Sequence, residues 1–296
     1  IESILINKLQ NGNQNLGLPR KTIACGQFIS NNSPQRGIHG STAALLILSL
    51  SNNEEKNILI PQLLNYIKDY EKIEKKIGKK NPTKIKLNKS NIIKISELLI
   101  ALKNIQQGES RTSKYKNSLI KILKDSKTIN QWPYFIDEGN LDILPTCFAC
   151  IALHVNGFHK EIGNSINHLK DFLRKNAEEI NSNILIFSKF VFAIYTLDRV
   201  SYDNDNLNIK EIKRYLNKVI NSKLYNMEAD MEQMIQYNHG NDHYYIRIPW
   251  QLYLIHLLSK YKVLSFSSKS IQDRLKSIIV GLNQNGFFYP NFHNSP

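Results

Sequence analysis

The densest group of side chains capable of chemistry in this 296-residue chain lies between His239 and Arg247. An aspartate next to a histidine can help to orient an imidazole that works as a general base. The guanidinium of Arg247 can hold an anionic group. Adjacent residues seldom pair with each other, so a working site needs partners from other loops. The segment supplies two catalytic candidates, Asp242 and His243, and three substrate-binding candidates, Tyr244, Tyr245 and Arg247.

A second group combines two thiols and an imidazole. Cys147, Cys150 and His154 are spaced to share one face of a helix. Such side chains are zinc ligands. However, the surrounding run is apolar throughout, and cysteine is among the most buried residue types. A Cys-x-x-Cys inside a helix also lacks the knuckle turn of structural zinc sites. We therefore expect core packing for both thiols, no metal and no cofactor.

The elements that would position these residues repeat along the chain. Three segments begin as a helix start and continue as an apolar stretch: Gly40–Leu46, Pro145–Ile151 and Pro249–Ile255. Within them, Thr42, Thr146 and Trp250 follow one another at intervals of 104 residues. A long period of this kind indicates stacked helical units that share a common core.

Two kinds of predicted helix alternate between these points. One kind is apolar nearly all round, which means burial on every side: Ala43–Leu50, Leu98–Leu102, Thr146–Val155, Ile184–Leu197 and Trp250–Leu258. The other kind is amphipathic and includes Ile58–Tyr70 and the stripes that begin at Tyr115, Ile162, Ile209 and Ile271. Met227, Met231 and Met234 are also spaced as on one face of a helix. This alternation predicts an all-α fold, an α/α toroid of about five inner-outer hairpins forming one domain over residues 1–296.

Loops leading into the apolar helices meet at one end of such a toroid, where ligand sites are common. Arg36 and His39 occupy in the first repeat the position that the His239–Arg247 segment occupies in the last. Asp137 and Asp142 do so in the middle repeat. We therefore add Asp142 to the catalytic candidates, and Arg36, His39 and Asp137 to the substrate-binding candidates.

The chain resembles the α/α-toroid proteins of the prenyltransferase and squalene-cyclase repeat type. The resemblance is carried by the Gln131-Trp132 turn, by the helix start Pro145-Thr146-x-x-Ala149-x-x-Ala152-Leu153, and by the alternating helices. It implies a terpene cyclase-like enzyme that acts on a hydrophobic isoprenoid-type substrate inside the barrel. The proton-donating Asp-x-Asp-Asp-Thr motif of class II cyclases corresponds to Asp142–Thr146, where Leu144 replaces the middle aspartate.

Two functions remain open. In the first, the toroid is an enzyme whose cavity is lined by loop aromatics that can stabilise a carbocation, among them Trp132, Tyr134, Tyr244 and Tyr245, while Arg36 and Arg247 hold an anionic head group. In the second, the chain is a non-catalytic recognition or scaffold domain of a longer protein and binds a protein or nucleic-acid partner. An open cavity at the His39–Asp137–His243 end favours the enzyme, and a plugged barrel excludes it.

Composition bears on the partners. The net charge of +14 invites a nucleic-acid partner, although lysine and asparagine at every permissive position also fit the codon bias of an AT-rich genome. No apolar run reaches the roughly 18 residues of a membrane span. Three cysteines are too few for a disulfide framework, so we expect a reducing, cytoplasmic setting. A first residue other than Met suggests an excised piece of a longer chain.

Overall fold

Helices make up most of the described chain, as an all-α protein requires. The computed structural model describes residues 5–6, 9–10, 18, 21–24, 38–70, 72, 91–105, 110–136, 141–200, 206–226, 234–239, 242–247, 250–265 and 267–276. These residues fall into two compact units. The prediction of a mostly helical protein is confirmed, since the strands named within this part of the chain form two short antiparallel pairs.

The first unit comprises the described residues of Ile1–Ser126 with Phe135 and Ile136. Its helices are α1 (Ile38–Ser49), α2 (Lys56–Lys68), α3 (Ile92–Asn104) and α4 (Ser110–Asp125). Helix α1 packs against α2 and α3, and α3 packs against α4. Asn104 donates a hydrogen bond to Ser49 at 3.3 Å, which joins the last residues of α3 and α1. The two packed helices therefore run in the same direction.

The second unit comprises the described residues of Lys127–Tyr134 and Glu138–Gly281. Strands β1 (Trp132–Pro133) and β2 (Leu141–Asp142) pair and lead into α5 (Ile143–Val155). Helices α6 (Gly163–Lys175), α7 (Ile184–Val200) and α8 (Asn206–Ile220) follow. The hairpin of β3 (Met234–His239) and β4 (Asp242–Arg247) then precedes α9 (Trp250–Lys260), and residues 269–276 are again helical. Short 3-10 turns span Lys160–Ile162, Glu179–Asn181 and Leu224–Asn226.

Three apolar helices form the core of the second unit, with α7 in contact with both α5 and α9. Phe187 of α7 packs edge-on against Trp250 of α9, with ring centroids 4.9 Å apart, and Phe192 lies 4.5 Å from Tyr253. Residues further along α7 therefore contact residues further along α9, which means that the two helices run parallel. Helix α5 is parallel to α7 as well, because Asp142 meets Lys189 and Phe148 meets Phe192.

The amphipathic helices α6 and α8 return the chain between these parallel helices. Helix α6 contacts α5 and α7, and α8 contacts α7. Each buries only its apolar stripe, as Leu169 and Leu173 do in α6. In α8, Tyr215 packs against Phe190 with ring centroids 5.6 Å apart. The predicted alternation of buried and amphipathic helices thus holds within the unit.

The β3–β4 hairpin corrects two predictions. Residues 242–247 were expected in a loop and instead form β4, paired with β3 from Met234↔Arg247 to His239↔Asp242. Met234 starts β3 rather than belonging to a helical stripe, while Met227 and Met231 lie outside the described residues. The reason is local: apolar and polar residues alternate from Ile235 to Asn238, and the two residues Gly240-Asn241 that follow the strand are typical of a tight hairpin connection.

In the part of the chain that the structure describes, no helix combines the length and apolarity needed to cross a lipid bilayer.

Replacing Leu169 tests the packing of α6 on the core. Its side chain is fully buried in the apolar stripe of the helix. We expect Leu169→Ala to lower the free energy of unfolding by about 2–5 kcal/mol, because it leaves a cavity. Leu252→Ala on α9 is the matched control, since Leu252 is 42% exposed, and should change it by less than about 0.5 kcal/mol. Chemical denaturation measures both, and equal losses would contradict the packing of α6.

Candidate functional site

The face of α5, α7 and α9 that is not fully covered carries a continuous run of aromatic rings. Phe148 lies 5.7 Å from Phe192, which lies 4.5 Å from Tyr253. Tyr253 lies 4.5 Å from Tyr195, and Tyr195 lies 6.1 Å from His256, all measured between ring centroids. We call these five residues the aromatic face. They form one surface because side chains three apart on a helix, such as Phe192 and Tyr195, point the same way.

The exposure of these rings differs from that of the core. Phe148, Tyr195 and Tyr253 are half-buried and His256 is exposed, whereas Phe192 is buried beneath them. Burial raises the pKa of Tyr195 more than the nearby Arg199 lowers it. Sequence analysis missed this surface. The available signal was a pair of polar aromatics three residues apart, Tyr253 and His256, within the apolar middle of the helix.

Asp142 and Lys189 lie near the starts of α5 and α7, at one end of the aromatic face. Oδ1 of Asp142 accepts the backbone N–H of Leu144 at 2.9 Å and caps α5. Oδ2 accepts a hydrogen bond from the ammonium of Lys189 at 2.5 Å. Thr146 donates to the carbonyl of Asp142 at 2.6 Å and accepts the N–H of Trp132 at 3.1 Å. Both carboxylate oxygens of Asp142 are therefore engaged as acceptors.

Positive charge and imidazoles collect at the opposite end of the aromatic face. Nδ1 of His154 lies 3.1 Å from Nδ1 of His159, and the rings meet edge to face. Burial lowers the pKa of His154, and the charges of His159 and Arg199 lower it further. Arg199 is exposed and forms no ion pair within the described chain. This end of the surface can therefore receive negative charge.

A buried carboxylate ties α7 to the end of α9 at this same end. The side chain of Asp198 is 1% exposed. Its Oδ1 accepts hydrogen bonds from the ammonium of Lys260 at 2.7 Å and from the hydroxyl of Tyr261 at 2.5 Å. Burial raises the pKa of Tyr261, and the hydrogen bond to Asp198 raises it further. Asp198, the acidic residue next to Arg199 in sequence, is thus already bound by Lys260 and Tyr261.

The two cysteines of α5 are core residues. Both are fully buried, and burial raises the pKa of Cys147 to about 12 and that of Cys150 still further. They are therefore protonated thiols at neutral pH, which are poor metal ligands. Among the described residues, no three His, Cys, Asp or Glu side chains form a group that could hold a metal ion.

The structure brings together only some of the predicted site residues. Trp132 and Asp142 meet through Thr146, as described above. Trp132 is fully buried with the ammonium of Lys127 over its ring at 5.2 Å, and Tyr134 is 2% exposed. Their roles as substrate contacts stay predictions.

The remaining predicted residues are placed by their backbone or lie outside the described part. His39 belongs to α1, in the first unit. Strand β4, in the second unit, holds the other five, Asp242, His243, Tyr244, Tyr245 and Arg247, and the structure describes no side chain of this set. Arg36 and Asp137 lie outside the described residues.

Comparison of the chain with protein-family models, with curated proteins and with solved structures gave no match.

Two histidines of the second unit, both partly buried among the described residues, predict the direction of acid sensitivity. Burial is the main cause that lowers the pKa of His154 and of His168 below the ordinary 6.5. The unfolded chain therefore takes up these protons at higher pH than the folded chain, so stability is lost as pH falls below about 6.5. We expect the midpoint of thermal unfolding to drop between about pH 7.5 and about pH 5.5, and to drop less in a His154→Gln/His168→Gln variant. An equal drop in both proteins would contradict this assignment.

Proposed function

We propose that this chain is an α/α-toroid protein of the prenyltransferase and squalene-cyclase repeat type that binds an isoprenoid-type ligand. The ligand has an apolar, unsaturated body and an anionic head. The observation that carries the proposal is the aromatic face, a run of five rings across three parallel helices with Arg199 at one end. Parallel apolar helices joined by amphipathic return helices support the toroid.

The rings suit an apolar, unsaturated body. Half-buried rings such as Phe148, Tyr195 and Tyr253 keep apolar area in contact with water, and a ligand that covers them gains the corresponding hydrophobic free energy. Their π faces also attract positive charge. A carbocation that develops along the ligand would be stabilised by the same surface.

Arg199 suits an anionic head. It is exposed, it has no ion pair within the described chain, and the His154–His159 pair is at the same end. A guanidinium binds phosphate oxygens in a planar, two-pronged arrangement. The negative end of the α7 dipole stabilises the charge of Arg199 itself, and the guanidinium then supplies the attraction for the head group.

Binding of the ligand is better supported than a catalytic role in which Asp142 protonates an alkene. Both oxygens of Asp142 accept hydrogen bonds, one of them from the Lys189 ammonium. A class II cyclase needs a carboxylic acid that gives its proton to the substrate. Asp242 and His243 therefore remain the catalytic candidates, and Asp142 acts in the proposal by holding the start of α5.

Farnesyl diphosphate, farnesol and inorganic diphosphate separate the two halves of this ligand. Binding of each is measured by calorimetry. We expect farnesyl diphosphate to bind most tightly. Tyr195→Ala should weaken both farnesyl compounds by roughly tenfold, because about 55 Å² of lost apolar contact, at about 25 cal/mol per Å², corresponds to about 1.4 kcal/mol. Arg199→Gln should weaken farnesyl diphosphate by tenfold or more, by loss of about 1.5–3 kcal/mol of charged hydrogen bonding, and leave farnesol unchanged.

Lys175→Gln is the matched control for Arg199→Gln, because Lys175 is likewise an exposed cation in the last turn of a helix, α6, and that helix contributes no ring to the aromatic face. It should leave all three affinities unchanged. The proposal is wrong if neither farnesyl compound binds, or if Lys175→Gln weakens farnesyl diphosphate as much as Arg199→Gln does.

A second candidate function is recognition of a nucleic acid, and one surface favours it. A cavity of about 620 Å³ lies between α8 and the residues around the Glu179–Asn181 turn. We call it the basic groove. Lys218 is paired with Glu178 at 2.6 Å and Arg214 with Glu211 at 3.5 Å. The groove is lined by four cations, Lys210, Lys213, Arg214 and Lys218, and by three amides, Asn181, Asn217 and Asn221.

Lys210 and Lys213 form no ion pair within the described chain, so they are available to phosphates. We expect a fluorescent single-stranded oligonucleotide to bind with an affinity that falls steeply with salt. Lys210→Gln/Lys213→Gln should reduce the slope of log K against log salt by about 1.4, at roughly 0.7 per neutralised phosphate. Lys175→Gln should leave the slope nearly unchanged. The same slope in all three proteins would show that Lys210 and Lys213 do not bind phosphates and that the groove is an ordinary solvated surface.

A further inference from the structure

The helix that follows α9 carries a buried positive charge without a matching negative charge. Arg274 is only 7% exposed. Its guanidinium stacks over the ring of Tyr225, with Cζ 4.2 Å from the ring centroid, and lies 6.0 Å from the ring of Trp250. Nη2 donates to the carbonyl oxygen of Tyr225. No carboxylate within the described residues forms an ion pair with it.

Two hydrogen-bond donors beside this charge have no acceptor. Nη1 of Arg274 and Nε1 of Trp250 are both buried and unpartnered within the described residues. Ser270 does not supply the acceptor, since its hydroxyl bonds to the hydroxyl of Tyr225 at 2.8 Å. Phe187 packs edge-on against Trp250 and offers only a ring. The two free donors therefore belong to groups whose centres lie 6.0 Å apart.

This arrangement is costly unless an anion completes it. A buried guanidinium without a counter-charge is strongly destabilising, and each buried donor without an acceptor adds to that cost. The cation–π contacts with the two aromatic rings offset only part of this cost. Trp250 is also the first residue of α9, where the helix dipole is positive. The guanidinium charge and the α9 dipole thus both favour a negative charge at this place.

We propose that Arg274 and Trp250 form a binding site for an oxyanion of the phosphate class. The guanidinium offers Nη1 to one oxygen and the indole offers Nε1 to another. The guanidinium carbon lies 6.0 Å from the centroid of the Trp250 ring, and an oxyanion that accepts a hydrogen bond of about 2.9 Å from each group can bridge groups this close. The site lies at the start of α9, whereas the head group proposed above lies at the end of α7 by Arg199. It is therefore a second site, independent of the isoprenoid ligand.

The same chemistry has another source, the chain's own acidic residues. Glu228, Asp230 and Glu232 follow Tyr225 within seven positions, and they lie outside the described residues. An internal carboxylate and an external phosphate give opposite results when phosphate is added, so the experiment includes both.

Thermal unfolding of the full chain tests the proposal. Sodium phosphate should raise the unfolding midpoint in a saturable way, as expected for a ligand that binds only the folded state. Sodium chloride at equal ionic strength should not. Trp250→Phe keeps the ring and removes Nε1, and should weaken phosphate binding by roughly tenfold or more. Arg274→Gln should abolish the response, while Arg174→Gln, at an arginine of α6 that is 58% exposed, should preserve it.

Three results would overturn the oxyanion site. One is an equal response to phosphate and chloride. Another is an unchanged response in Trp250→Phe, which remains informative even where Arg274→Gln fails to fold. The third is a wild-type chain without any response, together with a Glu228→Gln/Asp230→Asn/Glu232→Gln variant that gains one, because an internal carboxylate then occupies the site.

Discussion

The second unit depends on the burial of α7 between its neighbours. From Phe187 to Val200 this helix presents almost no side that tolerates water, and Phe187, Phe190 and Val191 are fully buried. A helix of this kind is stable only when other elements cover it all round. Helices α5 and α9 flank it, and the amphipathic helices α6 and α8 cover it further. What these four helices leave partly uncovered is the aromatic face.

The parallel direction of α5, α7 and α9 determines where charge can be placed. Parallel helices bring like ends together, so one end of the group is electropositive and the other electronegative. At the electropositive end, Asp142 caps α5 with a carboxylate. At the electronegative end, Arg199 and Lys260 fall in the last turns of α7 and α9. Arg274, beside the first residue of α9, breaks this pattern, which is why an anion is needed there.

The polar groups that matter are joined across elements rather than along them. Asp198 is a buried acid made tolerable by Lys260 and Tyr261, which are more than sixty residues away in sequence. Lys189 meets Asp142 across forty-seven residues. These links hold α5, α7 and α9 in register, so that Phe148, Tyr195 and Tyr253 adjoin. The aromatic face and its charged ends are therefore products of one packing arrangement.

The sequence by itself was enough to predict the helices and their two kinds, because apolar spacing of 3.6 residues is a local property. It also located Asp142 at a helix start, where a short polar side chain caps the backbone. The β3–β4 hairpin had a local signal too, in the alternation of Ile235–Asn238 and in the Gly240-Asn241 pair, and could have been predicted.

Only the tertiary structure decided which side chains face one another. Trp132 looks like a cavity residue in sequence and is fully buried, while Tyr195 and Tyr253 look like core residues and are partly open. Arg274 is an ordinary surface residue by sequence, and its burial against Tyr225 and Trp250 appears only once the helices are packed. Periodicity fixes which face of a helix is apolar. The register between helices depends on long-range contacts that no local pattern encodes, and here it determines the candidate site.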